Sequence, residues 1–172
     1  GEQQLQAIEA LLQGGTVNPR TFADRIFALP DSSIRDRAVL TVAANWMTRD
    51  PDTALEWLLG NAARINANTF CGLAQHLSVL DPATAARATS RIPSDARPAW
   101  LQGIAQEYGR ADPNGALAWI AQFEGQPGYD GAASELAQAL SLHDAPAAAH
   151  LLASVDDTDR NPFRGATAAV AA

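Results

Sequence analysis

Residues 101–120 of the chain, LQGIAQEYGRADPNGALAWI, contain the most informative pattern in the sequence. Asp112 and Pro113 divide this stretch into two halves. An Asp side chain at a helix N-cap accepts hydrogen bonds from free backbone amides, and Pro at the next position has no amide to leave unpaired. Because the residue before Pro is pushed out of the helical region, the same pair also ends the preceding helix. The stretch therefore predicts two helices joined at Asp112.

The same junction recurs along the whole chain. The leading residues of its five copies are Asn18, Asp50, Asp81, Asp112 and Asp144, at successive steps of 32, 31, 31 and 32 residues. Pro follows directly in the first four copies and after one further residue in the last. Self-similarity with a fixed step of this length is typical of proteins built from helical repeats.

Apolar residues recur in step with these junctions. Positions eleven, eight, seven and four before a cap share one helical face. In the four copies they are Val39, Val42, Ala43 and Trp46; Phe70, Leu73, Ala74 and Leu77; Leu101, Ile104, Ala105 and Tyr108; and Ala133, Leu136, Ala137 and Leu140. The third is always alanine, which lets a neighbouring helix approach closely.

Positions four and eight after a cap hold Ala54, Leu58, Ala85, Thr89, Ala116, Ile120, Ala148 and Leu152, with Phe22 and Ile26 in the first copy. We predict that both sets are core, together with Trp57 and Trp119.

This pattern predicts eleven helices and an all-α fold. The first helix of each hairpin lies near 32–48, 67–80, 95–110 and 130–142, and the second near 19–29, 51–59, 82–91, 113–123 and 146–154. Further helices are expected at 2–13 and 162–172. We predict an α-solenoid, a right-handed superhelix of about five 31–32-residue helix-turn-helix repeats, as a single domain over 1–172. The last helix starts another repeat and runs into the chain end, so we expect a fragment truncated there.

The residues at these positions resemble tetratricopeptide-type repeats and related short helical-hairpin repeats of bacterial proteins. Ile104-Ala105 with Tyr108, followed by Ala116 and Ile120, is similar to the family pattern. The repeat is shorter, at 31–32 residues against about 34. The resemblance covers nearly the whole chain at the level of architecture, and it implies protein or peptide binding by analogy.

Composition removes several classes of function. The chain carries a net charge of −7, with 19 acidic residues against 12 basic ones, all of them arginine. An acidic chain repels phosphate backbones, so we expect no nucleic-acid partner, and RNA recognition by helical repeats is disfavoured. The absence of lysine excludes Schiff-base lysines and a phosphate-loop lysine. Because no apolar run approaches about 20 residues, we expect no membrane insertion of this segment.

Residues able to support catalysis are few. His143 and His150 stand seven apart across a helix break, so we expect no metal ion and no cofactor. Cys71 and His76 lie five apart on one helix, a spacing that turns them away from each other, and Cys71 is expected to be a small core residue. The acidic residues at 156, 157 and 159 are expected in a solvated loop. The chain is therefore predicted not to be an enzyme.

The positions twelve, nine and five before each cap are a different set, because their residue types vary while the core stays constant. In stacked hairpins the first helices line the concave side. From this stripe we predict partner-binding roles for Thr41, Asn45, His76, Trp100, Glu107 and Glu135. A solvated stripe without a ligand is the alternative. Trp100 is either an exposed anchor on the groove or packed under the turn from Pro93 to Pro98.

The functional prediction is a non-catalytic protein–protein interaction scaffold that binds a peptide or partner protein in a concave groove. The alternative is a helical domain that holds the substrate of a larger cell-envelope enzyme. Oligomeric state stays open. Localisation also stays open between periplasm and cytoplasm, with a lean toward the bacterial periplasm.

Overall fold

The computed structural model describes residues 32–160 continuously. Before them it describes Ala23 and residues 3, 6, 7, 10 and 25–29. The described chain forms eight packed α-helices and no strand, which confirms the all-α prediction. The first helices of successive hairpins are α1 (Ser32–Met47), α3 (Ala67–Leu80), α5 (Arg97–Ala111) and α7 (Tyr129–Leu140). The second helices are α2 (Pro51–Gly60), α4 (Pro82–Ala88), α6 (Pro113–Ile120) and α8 (Ala145–Arg160). The predicted helix at 162–172 lies outside the described residues and the one at 2–13 lies largely outside them; of the one at 19–29, Ala23 and residues 25–29 are described, with helical backbone at 23, 25 and 26.

Each predicted aspartate cap performs two hydrogen-bonding tasks. Its Oδ1 accepts from the backbone amide three residues ahead, at 3.2 Å for Asp50 and 3.0 Å for Asp81, Asp112 and Asp144. Its own amide donates to the carbonyl four residues behind, at 2.9, 2.8, 2.9 and 2.7 Å respectively. One residue thus ends the first helix of a hairpin and begins the second, because it satisfies free groups of both termini. The cap prediction is confirmed in all four described copies.

The sixteen apolar positions that precede the caps form a continuous buried seam, and we use that name for them below. None of them is more than 9% exposed, and the four alanines at the third place are 0–2% exposed. Successive first helices pack against each other in chain order, α1 on α3, α3 on α5 and α5 on α7, and α8 packs on α7. The predicted core face of the first helices is therefore confirmed.

Two glycines allow the first helices to approach at backbone distance. A Cβ atom on Gly103 would lie 2.5 Å from the carbonyl oxygen of Cys71 and 2.7 Å from the Cβ of Ala74. One on Gly109 would lie 2.5 Å from a methyl group of Leu136. Gly103 therefore lets α5 lie against the backbone of α3, where no side chain would fit, while at Gly109 an added methyl group would require the Leu136 side chain on α7 to shift.

Trp100 corrects one of the site predictions. Its side chain is fully buried and meets the ring of Phe70 edge-on, with the centroids 6.4 Å apart. Its indole Nε1–H donates to the carbonyl oxygen of Ala85 on α4, at 3.2 Å. The exposed-anchor interpretation is wrong, since α3 and α4 together enclose the ring and satisfy its only polar atom.

Three smaller predictions are also corrected. Leu152 is 46% exposed although it occupies a core register. The helical backbone of α8 continues to Arg160, so the expected loop at residues 156–159 is wrong. Trp57 is half-buried rather than enclosed, whereas Trp46 and Trp119 are each 5% exposed as predicted.

Aromatic pairs at equivalent positions join the two helices of alternate hairpins. The rings of Trp46 and Trp57 are 6.0 Å apart, and those of Tyr108 and Trp119 are 5.9 Å apart. The indole N–H of Trp119 donates to the Thr89 hydroxyl at 3.3 Å. That of Trp57 is buried without an acceptor among the described residues, and the repeat register places Ile26 where the other pair has Thr89.

Candidate functional site

An open groove of about 690 Å³ crosses three successive first helices on the side away from the seam. The helix α3 contributes Cys71, Gln75 and His76, α5 contributes Gln102, Gln106 and Glu107, and α7 contributes Glu135. Their backbones are held in place by the seam and by the close contact at Gly103. The groove is therefore formed by packed helices and not by loops.

The groove brings together three of the six predicted site residues, His76, Glu107 and Glu135. Thr41 and Asn45 lie on α1, half-buried, and do not line it. The side-chain oxygen of Asn45 is buried and has no hydrogen-bond partner in the described part of the chain. The predicted stripe is thus divided between the groove and a neighbouring polar surface on α1.

Glutamine recurs six residues before three of the caps, at Gln75, Gln106 and Gln138. Gln75 and Gln106 line the groove, and Gln138 continues the row along α7. We call these three residues the glutamine row. Their side-chain amides make no hydrogen bond to any described residue, so each offers an acceptor oxygen and two donor hydrogens to solvent or a ligand. The row does not show when only the positions twelve, nine and five before the caps are compared. It shows once the position six residues before each cap is compared as well.

The charge of the groove is negative and comes from α5 and α7. Glu107 forms an ion pair with Arg110, 2.8 Å between its Oε1 and the guanidinium. Glu135 is half-buried and has no ion-pair partner among the described residues. No arginine lines the groove. A ligand that enters it therefore meets one unpaired carboxylate and no cation that would attract an anion.

Cys71 is a half-buried groove residue, which corrects its assignment to the core. It stands one residue after the seam position Phe70, and this turns it toward the open side of α3. Burial raises the pKa of its thiol, and the negative charge of Glu135 raises it further. Both effects oppose formation of the thiolate, which is the reactive form.

His76 lies in the same groove as Cys71 but is engaged elsewhere. Its Nε2 lies 3.1 Å from the carbonyl oxygen of Ala44, 32 residues away on α1. Because a carbonyl can only accept, Nε2 must carry the hydrogen. The ring thereby ties α3 to α1, and no nucleophile–base contact between Cys71 and His76 is formed.

In the described residues, no three side chains of His, Cys, Asp or Glu come together in a way that could hold a metal ion. None of the eight described helices combines the length and the apolar character that crossing a bilayer requires.

Comparison with known proteins adds no assignment. No family model, no curated protein and no solved structure matches this chain. What can be inferred about function therefore comes from the groove itself.

Proposed function

We propose that the chain is a right-handed α-solenoid of about five 31–32-residue hairpins, forming a single helical-repeat domain. Three observations support this architecture. The cap geometry is the same in four hairpins, the seam positions are buried in all four, and each first helix packs against the next one along the chain. Nearest-neighbour packing of equal units is how helical-repeat proteins are built.

We propose further that the protein is a non-catalytic interaction scaffold that binds a segment of a partner protein in the groove. One observation carries this proposal: side chains with unused hydrogen-bonding capacity line a groove that spans three hairpins. Gln75, Gln106 and Glu135 are held by rigid helices and have no partner among the described residues. Because the helices fix the backbones of these residues, only their side chains must become ordered when a polypeptide binds, and this limits the entropy lost on association.

A displayed library of random dodecapeptides tests this function. We expect the folded protein to enrich peptides whose binding is lost when Gln106→Trp fills the middle of the groove. Gln122→Trp, at an exposed position outside the groove, is the matched control and should leave binding unchanged. Circular dichroism establishes that both variants are folded. If no peptide is enriched, or if the enriched peptides bind the Gln106→Trp variant as well as the parent, the groove is not a peptide-binding site.

A further inference from the structure

The glutamine row matches the backbone of an extended polypeptide. A primary amide presents one acceptor and two donors, the same kinds of group that a peptide unit presents. Neighbouring packed helices lie about 8–10 Å apart, and two to three residues of extended chain advance about 7–10 Å. A chain that crosses the first helices therefore meets one glutamine every two to three residues, and backbone hydrogen bonds of this kind do not depend on its sequence.

Sequence preference must then come from charge, and Glu135 is the residue that supplies it. Its carboxylate is half-buried in the groove wall and unpaired within the described chain, whereas Glu107 is already ion-paired with Arg110. His76 is occupied by the Ala44 carbonyl. A cationic side chain is the complement of this surface, since a charge-assisted hydrogen bond to a carboxylate is stronger than a neutral one. An acidic segment would be repelled by the same carboxylate.

We infer that the groove binds an extended segment carrying an arginine or lysine side chain, whose backbone is hydrogen-bonded by Gln75 and Gln106 and whose cation pairs with Glu135. This inference rests on the proposed function and names the chemistry of the partner. It also assigns separate tasks to the two kinds of side chain: the glutamines provide affinity for any extended chain, and Glu135 selects among sequences.

The test uses the displayed dodecapeptides and then one synthetic peptide from the enriched set. We expect enrichment of arginine or lysine at one position of the peptide. For the synthetic peptide, Glu135→Gln should weaken binding about tenfold at low salt, which corresponds to one charge-assisted contact. Glu124→Gln, which removes the same charge from an exposed residue outside the groove, should change the affinity less than about twofold. Replacing the basic residue of the peptide by citrulline should cause the same loss as Glu135→Gln, and the two changes together should be no worse than either alone.

The backbone contacts have a separate readout. Gln75→Ala and Gln106→Ala should each weaken the binding of basic and citrulline peptides by the same factor, because these contacts involve only the peptide backbone. The inference would be overturned if the enriched peptides lack a cation. It would also be overturned if they bind the Glu135→Gln variant normally but do not bind the Gln106→Trp variant. Either result would leave the proposed function standing. If every peptide binds the Gln106→Trp variant as well as the parent, the proposed function itself is overturned.

Discussion

Two faces of the same helix behave in opposite ways in this molecule. On α3, Leu73 and Ala74 belong to the seam and are fully buried, whereas the next two residues, Gln75 and His76, line the groove. The seam is apolar in every hairpin, with alanine always at its third place, whereas the groove side varies in residue type apart from the recurring glutamine. Stability and the proposed recognition therefore depend on different residues of one helix, and we expect each to be alterable with little effect on the other.

The largest effect is expected where a seam residue is truncated. Leu73→Ala should lower the free energy of unfolding by about 2–5 kcal/mol, because it leaves a cavity between packed helices. Gln75→Ala, two residues away on the groove side, should change it by less than about 0.5 kcal/mol. Urea unfolding of both variants measures the difference. Equal losses in the two would show that the faces are not separated as described.

Two glycines provide a second contrast between packed and open helix surfaces. Gly103→Ala should cost about 1–3 kcal/mol, since its methyl group would overlap the Cys71 carbonyl unless α3 and α5 move apart. Gly131 lies in α7 with no atom within 4 Å of an added Cβ. Gly131→Ala should therefore stabilise the protein by about 0.5–1 kcal/mol through helix propensity. Thermal unfolding of the two variants should shift in opposite directions, and a stable Gly103→Ala variant would contradict the close helix contact.

Removing the hydrogen bond of one aromatic pair should have a smaller effect on the free energy of unfolding. Thr89→Val keeps the volume of the side chain but removes the acceptor of the Trp119 indole, and should cost about 1–2 kcal/mol. Val79→Thr, a change between the same residue types at a site 68% exposed, is the matched surface control and should be near neutral. If Thr89→Val is neutral as well, the Trp119 indole does not depend on that hydroxyl.

The caps should show the smallest effect on stability, together with a pH dependence. Asp81→Ala should cost about 1 kcal/mol, and Asp81→Asn much less at about pH 7. The hydroxyl and amide of Thr84 lower the pKa of the Asp81 carboxyl by hydrogen bonding. The cap therefore stabilises the fold above the unfolded-state pKa, and this contribution is lost as the pH falls through the folded-state pKa. Unfolding curves from about pH 7 to about pH 3 should show a weaker acid-dependent loss for Asp81→Asn than for the parent.

Local rules predicted the elements of this fold well. The Asp-Pro junctions and the seam spacing depend on hydrogen bonds and periodicity within one or two turns, so residues such as Asp112 and Ala105 could be assigned from sequence. Trp100 could not, because its burial depends on where α4 lies relative to α3. Cys71 and the glutamine row were misjudged or missed for a related reason. Which side of a first helix remains open depends on how neighbouring hairpins are arranged.

If the hairpins follow one another along a line, the first and the last of them must lie several helix spacings apart. Thr48 and Leu142 occupy the position two residues before a cap in the first and last of the four described hairpins, and both are exposed. Spin labels on Thr48→Cys and Leu142→Cys, in a Cys71→Ser background, allow the separation to be measured by double electron–electron resonance. Three successive helix spacings predict a distance of about 24–30 Å. Strong dipolar broadening of the continuous-wave spectrum, which appears only when the labels are closer than about two such spacings, would mean that α1 and α7 are neighbours in a closed bundle, and would contradict the proposed solenoid and its groove.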